Sequence, residues 1–232
     1  MRQLAKIVTV ALAMAVAFPV FADDAKPFSD AAEIDLVAIL PPPPADDSAT
    51  TKAELGVILT WQVTRTPEQA ALATADDAEE VWRFANVIDN PKFTAENLPK
   101  FSAFFDRIAA TEGAVVDPAK KEWKRPRPYM YSDLVKPIVE LSKSGAYPSG
   151  HATLGTLMGI VLSEMVPEKR TEIMARAWEY GQNRVVAGVH YPTDIEAARI
   201  SGSVIAQTIS THPDYKDEFA AAKAELRAAL GL

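Results

Sequence analysis

The run Tyr147-Pro148-Ser149-Gly150-His151 passes without a break into Ala152-Thr153-Leu154-Gly155-Thr156-Leu157-Met158, a turn of small residues opening an apolar helix. The helix predicted from about Gly150 to Met165 buries Leu154, Leu157, Met158, Val161 and Leu162. Gly155 and Gly159 cost about 1 kcal/mol each inside a helix, so their spacing of four predicts compensation by close contact with another helix. A turn without bulky side chains leaves backbone N–H groups free at a helix N-terminus, where the peptide dipole adds about half a positive charge. His151 stands at the lip of that anion seat.

The remaining pattern is helical throughout. Thr51 with Glu54 predicts a capping box ahead of Leu55, Val57, Ile58, Leu59 and Trp61. Thr66-Pro67-Glu68-Gln69 repeats the device, and the apolar pattern runs on through Leu72, Val81, Trp82, Phe84 and Val87 until Pro91. Thr94-Ala95-Glu96-Asn97 opens a helix carrying Phe101, Phe104, Phe105 and Ile108, and Asp117-Pro118 is read as the start of a further one, with Lys120 in its first turn. Arg127, between Pro126 and Pro128, falls in extended chain. Val135 to Ser142 reads as a short helix.

After Pro167 a long helix carries Ile173, Met174, Ala177, Trp178, Val185 and Val186, with Arg184 near its end. Thr193 with Glu196 caps the next, which holds Asp194 in its first turn and turns Ile195, Ala198, Ile200, Val204 and Ile205 inward. A last amphipathic helix follows Pro213. No run alternates as a strand does, so the expected fold is all-α, a single-domain helical bundle over 48–232.

The N-terminus reads differently. Arg2 and Lys6 precede an apolar run that ends in Val20-Phe21-Ala22, the pattern of a signal peptide over 1–22, and the run is too short for a comfortable membrane span. Export, with residence in the periplasm, is the expectation. Residues 23–47 read as an extended lead-in, stiffened by the polyproline strap Pro41-Pro42-Pro43-Pro44. With 31 acidic against 24 basic residues the chain is net negative, more so once Arg2 and Lys6 are removed, so its general surface does not attract nucleic-acid polymers or anionic lipid. The absence of cysteine excludes thiol chemistry and thiolate-bound metal.

Against that acidic background the clustered cations matter. Lys120-Lys121-Glu122-Trp123-Lys124-Arg125-Pro126-Arg127 is strongly basic, and Arg184 leads after five residues to His190, with Asp194 four further on. Singly, each has an ordinary reading: Asp194 as a helix N-terminal acid, Arg184 as a partner of Glu179, Lys120 as a solvated cation. Of the three histidines, His212 before Pro213 suits a capping or solvated role. Jointly, cations, a nucleophile and a proton donor are what a phosphoryl site needs.

Lys120, six residues, Arg127-Pro128, then Pro148-Ser149-Gly150-His151, then Arg184, five residues, His190, three residues, Asp194 resembles the three-part pattern of the PAP2 acid phosphatase and vanadium haloperoxidase superfamily. The likeness looks closest to the class A bacterial non-specific acid phosphatases and extends over the Pro41–Pro44 lead-in, Gly181-Gln182 and the stretch Asp194 to Arg199. The family usually has Ser where this chain has Asn183, a longer donor. The resemblance implies hydrolysis of phosphate monoesters without metal or cofactor, with some transfer to other alcohols. His190 would be the nucleophile, Asp194 its partner, and His151 the acid and base. Lys120, Arg127, Arg184 and the amides of Ser149 and Gly150 would hold the phosphate oxygens. The rival readings are a vanadate-dependent haloperoxidase and a non-catalytic exported phosphate-binding protein. The physiological ester and any homo-oligomer stay open.

Overall fold

The computed structural model describes residues 25–232, so the signal expected at 1–22 lies outside the described residues. The α-helices are α1 (Leu36–Ile39), α2 (Ala49–Thr64), α3 (Pro67–Ala75), α4 (Ala85–Ile88), α5 (Pro99–Trp123), α6 (Pro128–Tyr131), α7 (Gly150–Met165), α8 (Arg170–Val186), α9 (Pro192–Ile209) and α10 (Pro213–Leu230). Among the described residues there is no strand, and no helix is long and apolar enough to cross a membrane.

Helix α7 is the hub, with α5, α8 and α9 packed around it. Leu154, Leu157, Met158, Val161, Leu162 and Met165 are all fully buried, and burying each such side chain contributes roughly 1.5–3 kcal/mol. A Cβ on Gly155 would stand 2.5 Å from Tyr180 Cδ1, and one on Gly159 2.5 Å from Ala177 Cβ. The missing methyls are what let α8 lie against α7. Helix α9 comes as near, since a Cβ on Gly202 would be 2.7 Å from the Thr153 carbonyl oxygen.

On the other side of α5, Phe104, Phe105, Tyr215 and Phe219 join Phe28 in an aromatic cluster that seats α10. Arg107 spans the same contact, bonding Asp214 at 2.9 Å and Glu218, with its guanidinium 3.7 Å above the Phe28 ring. Leu36 and Leu40 of the lead-in are buried, and Tyr147 Oη donates to the Pro41 carbonyl at 2.7 Å. The strap is thereby tied to the turn before α7.

Several sequence expectations are corrected. Ser48 caps α2, three residues before the expected Thr51; Thr51 is buried inside the helix and donates to the Ala45 carbonyl at 2.8 Å. The helix opened by Thr66 ends at Ala75, and Val81–Phe84 forms a separate 3-10 turn. The helix expected from Thr94 begins at Pro99. Asp117-Pro118 starts no helix: α5 runs through Pro118 and Lys120 lies in its last turn. A proline there sacrifices one main-chain bond at a cost of about 3 kcal/mol, but the buried stripe Val115, Val116, Ala119 continues across it and packing prevails.

Residues 132–149 form no helix. Long-range bonds take up the backbone there instead: Gln62 bonds the Leu134 carbonyl and the Lys136 N–H, Ile138 N–H donates to the Ala187 carbonyl, and Tyr129 Oη donates to the Ser142 carbonyl. The cap of α9 is Tyr191 rather than Thr193. Ile200, expected inside, is exposed, as is Trp178, over whose ring Arg199 stacks.

Candidate active site

The turn between α8 and α9 delivers His190, and the first turn of α9 delivers Asp194 beneath it. Asp194 Oδ2 accepts the Tyr191 N–H at 2.8 Å, which fixes the helix start, and lies 3.2 Å from His190 Nδ1. On the other side of the ring, His190 Nε2 is 3.0 Å from Arg127 Nη1. A guanidinium can only donate and a carboxylate only accept. His190 therefore carries its proton on Nδ1 and points a lone pair from Nε2. Burial holds the imidazole well below its usual range, and Arg127, Lys120 and Arg184 push the same way.

Arg125, which the sequence reading passed over, fixes Asp194. Its Nη1 donates to Asp194 Oδ1 at 2.6 Å and to Thr193 Oγ1 at 2.8 Å, and its Nη2 to Glu54 Oε2 at 2.9 Å. Glu54 Oε1 in turn accepts the Thr193 N–H at 2.6 Å. This buried Glu54–Arg125–Asp194 chain joins α2 to α9 under the His190 ring. Lys124, in the left-handed conformation at φ 50°, ends α5, and the chain leaves it through Arg125 to Arg127, which sits in extended backbone. One reaches Asp194, the other His190. Arg127 is also anchored by the Ser144 carbonyl at 3.1 Å and Ser144 Oγ at 3.0 Å.

Lys120, Arg127, Gly150, His151 and Arg184 line one cavity of about 740 Å³, together with Asp77, Glu79, Glu112, Asp117 and Glu140. The sequence places Arg184 far from Lys120 and Arg127; the fold gathers them. His190 itself is almost wholly buried and meets the cavity through Arg127. Arg184 donates to Asp77 Oδ1 at 2.8 Å, not to Glu179, which bonds Arg176. Its Nε and Nη1 are buried without a hydrogen-bond partner among the described residues. A buried guanidinium with unused donors can still accept an anionic partner.

His151 faces two acceptors. Nδ1 is 2.8 Å from Glu79 Oε1, and Nε2 is 3.0 Å from the Asp77 carbonyl oxygen. A ring protonated on both nitrogens satisfies both. Ser149 caps α7, its Oγ accepting the Ala152 N–H at 3.3 Å. Its own N–H, expected to hold phosphate, donates instead to the Asp194 carbonyl at 3.1 Å, which locks the turn to α9. His212 occupies the N-cap position of α10, but its side chain makes no capping bond and instead ties the Phe28 carbonyl and Glu33.

The turn after α3 supplies the acids that the helical reading of 72–87 missed. Asp76 is fully buried and accepts from Arg83 Nε at 2.9 Å, Arg176, and Asn183 Nδ2 at 2.7 Å. Asn183 thus faces Asp76 and is not among the residues lining the cavity. So anchored, the turn presents Asp77 and Glu79 to the cavity. The density of acids in Asp76-Asp77-Ala78-Glu79-Glu80 was the available signal, since it interrupts the apolar spacing. Among the described residues no three carboxylate or imidazole groups converge to hold a metal ion.

Residues 107–217 match the PAP2 superfamily. A non-specific acid phosphatase of Salmonella typhimurium is 31% identical over 214 residues, covering 88% of this chain and 86% of that protein. One from Salmonella typhi is 33% identical over 81% of this chain and 78% of its own length. Among solved structures, a bacterial vanadium-dependent iodoperoxidase superposes with a TM-score of 0.54 at 21% identity, over 74% of this chain and 51% of that one, a likeness of fold. With this helical architecture and these relatives, the chain belongs to the PAP2 superfamily and, within it, to the non-specific acid phosphatases.

Proposed function

We propose that this protein is an acid phosphatase that hydrolyses phosphate monoesters through a phosphohistidine on His190. The observation that carries the reading is the state of that ring: Nδ1–H is directed to Asp194 and the Nε2 lone pair faces Arg127, one of the cations lining the cavity. A neutral, oriented imidazole beside preorganised cations is a nucleophile with its electrophile's seat already built.

An ester's phosphoryl oxygens take up the donors of Lys120, Arg184 and Arg127, and Arg127 exchanges His190 Nε2 for a phosphate oxygen. Nε2 then bonds to phosphorus as the ester P–O bond breaks. His151 gives its proton to the departing alkoxide. In the second half, His151 takes a proton from water as the oxygen attacks phosphorus, the P–N bond breaks and phosphate leaves. The growing positive charge on His190 is offset by Asp194, which Arg125 and the Tyr191 N–H hold in place. The apolar N-terminal run supports export, and the mature N-terminus read from periplasmic protein tests it.

The test of the reaction is His190→Ala assayed with p-nitrophenyl phosphate and by acid-quench trapping of labelled phosphoenzyme. Loss of both, with the fold retained by circular dichroism, is expected. Labelling at unchanged stoichiometry would remove His190 from the role.

A further inference from the structure

The cavity holds one buried acid that this mechanism leaves idle. Glu112 is 6% exposed and lies two turns before Lys120 on α5. A Cβ built on Gly150 would meet Glu112 Oε1 and Lys120 Nζ, each at 2.9 Å. Carboxyl and ammonium therefore flank the same first residue of α7, where the oxyanion seat is expected. Among the described residues, no N–H or O–H donates to Glu112.

A carboxylate in that place would meet an arriving phosphoryl group with like charge, and it would lack the donors that buried carboxylates require. Its charged surroundings add to the difficulty. Lys120 and Asp117 face it from its own helix and Glu79 from the turn after α3, while α7 presents Gly150 and His151. Across the cavity stand Arg127, Arg184, Asp77 and Glu140. We infer that Glu112 serves the seat as an uncharged carboxylic acid, giving its O–H to a nonbridging oxygen of the phosphoryl group held beside Lys120. Burial pushes the carboxyl up to about 8, against the pull of Lys120 and with the help of Glu79 and Asp117. A neutral Glu112 is thus a hydrogen-bond donor across the acid and neutral range and becomes a repelling charge above it.

The inference rests on the oxyanion seat proposed above, and sulfate, an oxyanion that does not titrate here, probes it without turnover. Calorimetric Kd values for sulfate are expected to rise above pH 8 by up to tenfold per unit in the full chain. Glu112→Gln, which donates but cannot ionise, is expected to bind about tenfold more tightly than wild type at pH 9 and about equally at pH 6. Glu112→Ala should flatten the rise as well, with weaker binding throughout, and serves if the amide variant does not fold. A wild-type Kd unchanged from pH 7 to 9, or a Gln variant with the full rise, overturns the inference. Turnover of p-nitrophenyl phosphate in the same preparations separates the two readings. Absent turnover with the sulfate response intact sinks the phosphatase and leaves Glu112; turnover without the response does the reverse.

Discussion

Arg125 Nη1 donates to Asp194 Oδ1 at 2.6 Å, so the carboxylate that orients His190 is itself held by a guanidinium buried beneath it. Glu54, on the far side of Arg125, completes a chain of alternating charge that few donors or acceptors outside it can replace. Among the described residues the Arg125 Nε has no hydrogen-bond partner, so the two acids, Thr193 Oγ1 and the Tyr191 ring beneath the guanidinium are what hold it.

Arg125→Ala leaves Asp194 and Glu54 buried without their cation. A loss of about 3–5 kcal/mol is expected for breaking a buried pair from one side. Thermal unfolding reads this. Arg125→Lys keeps the charge but cannot bridge both acids, so kcat should fall by more than tenfold while KM changes little, the pattern of a misaligned nucleophile. An unchanged kcat would show that the chain is merely structural.

Asn183 stands where the relatives were expected to have Ser, yet its amide goes to Asp76 at 2.7 Å. Asn183→Ser is therefore expected to leave the Ki of inorganic phosphate within about twofold while costing roughly 1 kcal/mol of stability for the lost bond. A large change in Ki with unchanged stability would place the side chain at the phosphate after all.

Asp77 accepts from Arg184 at 2.8 Å, so a phosphate oxygen that binds this guanidinium competes with it. Asp77→Asn weakens that internal competitor. Phosphate inhibition should become tighter by up to about fivefold, the roughly 0.2–1 kcal/mol of a part-exposed ion pair. Equal or weaker inhibition would mean that Asp77 positions Arg184 rather than competing for it.

The buried Glu112 also links stability to pH. In the unfolded chain a glutamate loses its proton near pH 4.3, whereas the folded chain keeps it up to about 8. Between those values the folded state binds more protons, so stability falls as pH rises, by at most about 1.4 kcal/mol per unit. Glu112→Gln removes this term. The melting temperature of the Gln variant should exceed that of wild type at pH 7.5 by more than it does at pH 4.5, in differential scanning calorimetry; a pH-independent difference would show Glu112 to be ionised in the fold.

Where an element is decided by its own residues, the sequence was a good guide. Thr66 and Gln69 form the capping box that their spacing predicts, and α7 and α8 match closely the stretches marked by Gly150 and Pro167. Gly155 and Gly159 lie against Tyr180 and Ala177, as their spacing anticipated. Failures came where distant partners outbid local preference. Val135 to Ser142 has helical spacing but bonds instead to Gln62, Tyr129 and Ala187. Pro118 looks like a helix start until the continuous buried face of α5 overrides it.

By itself the sequence determined an all-helical fold and picked out the imidazoles and cations of a candidate site, because capping, helical period and motif spacing are properties of neighbours along the chain. Only the tertiary structure decided which charges meet: that Arg125 and not another cation lies under Asp194, that Asn183 turns to Asp76, and that Glu112 stands beside Lys120 and Gly150. The reason is physical. A charge out of water is stable only beside a partner that the packing of separate helices brings to it, and no spacing along the chain encodes that distance.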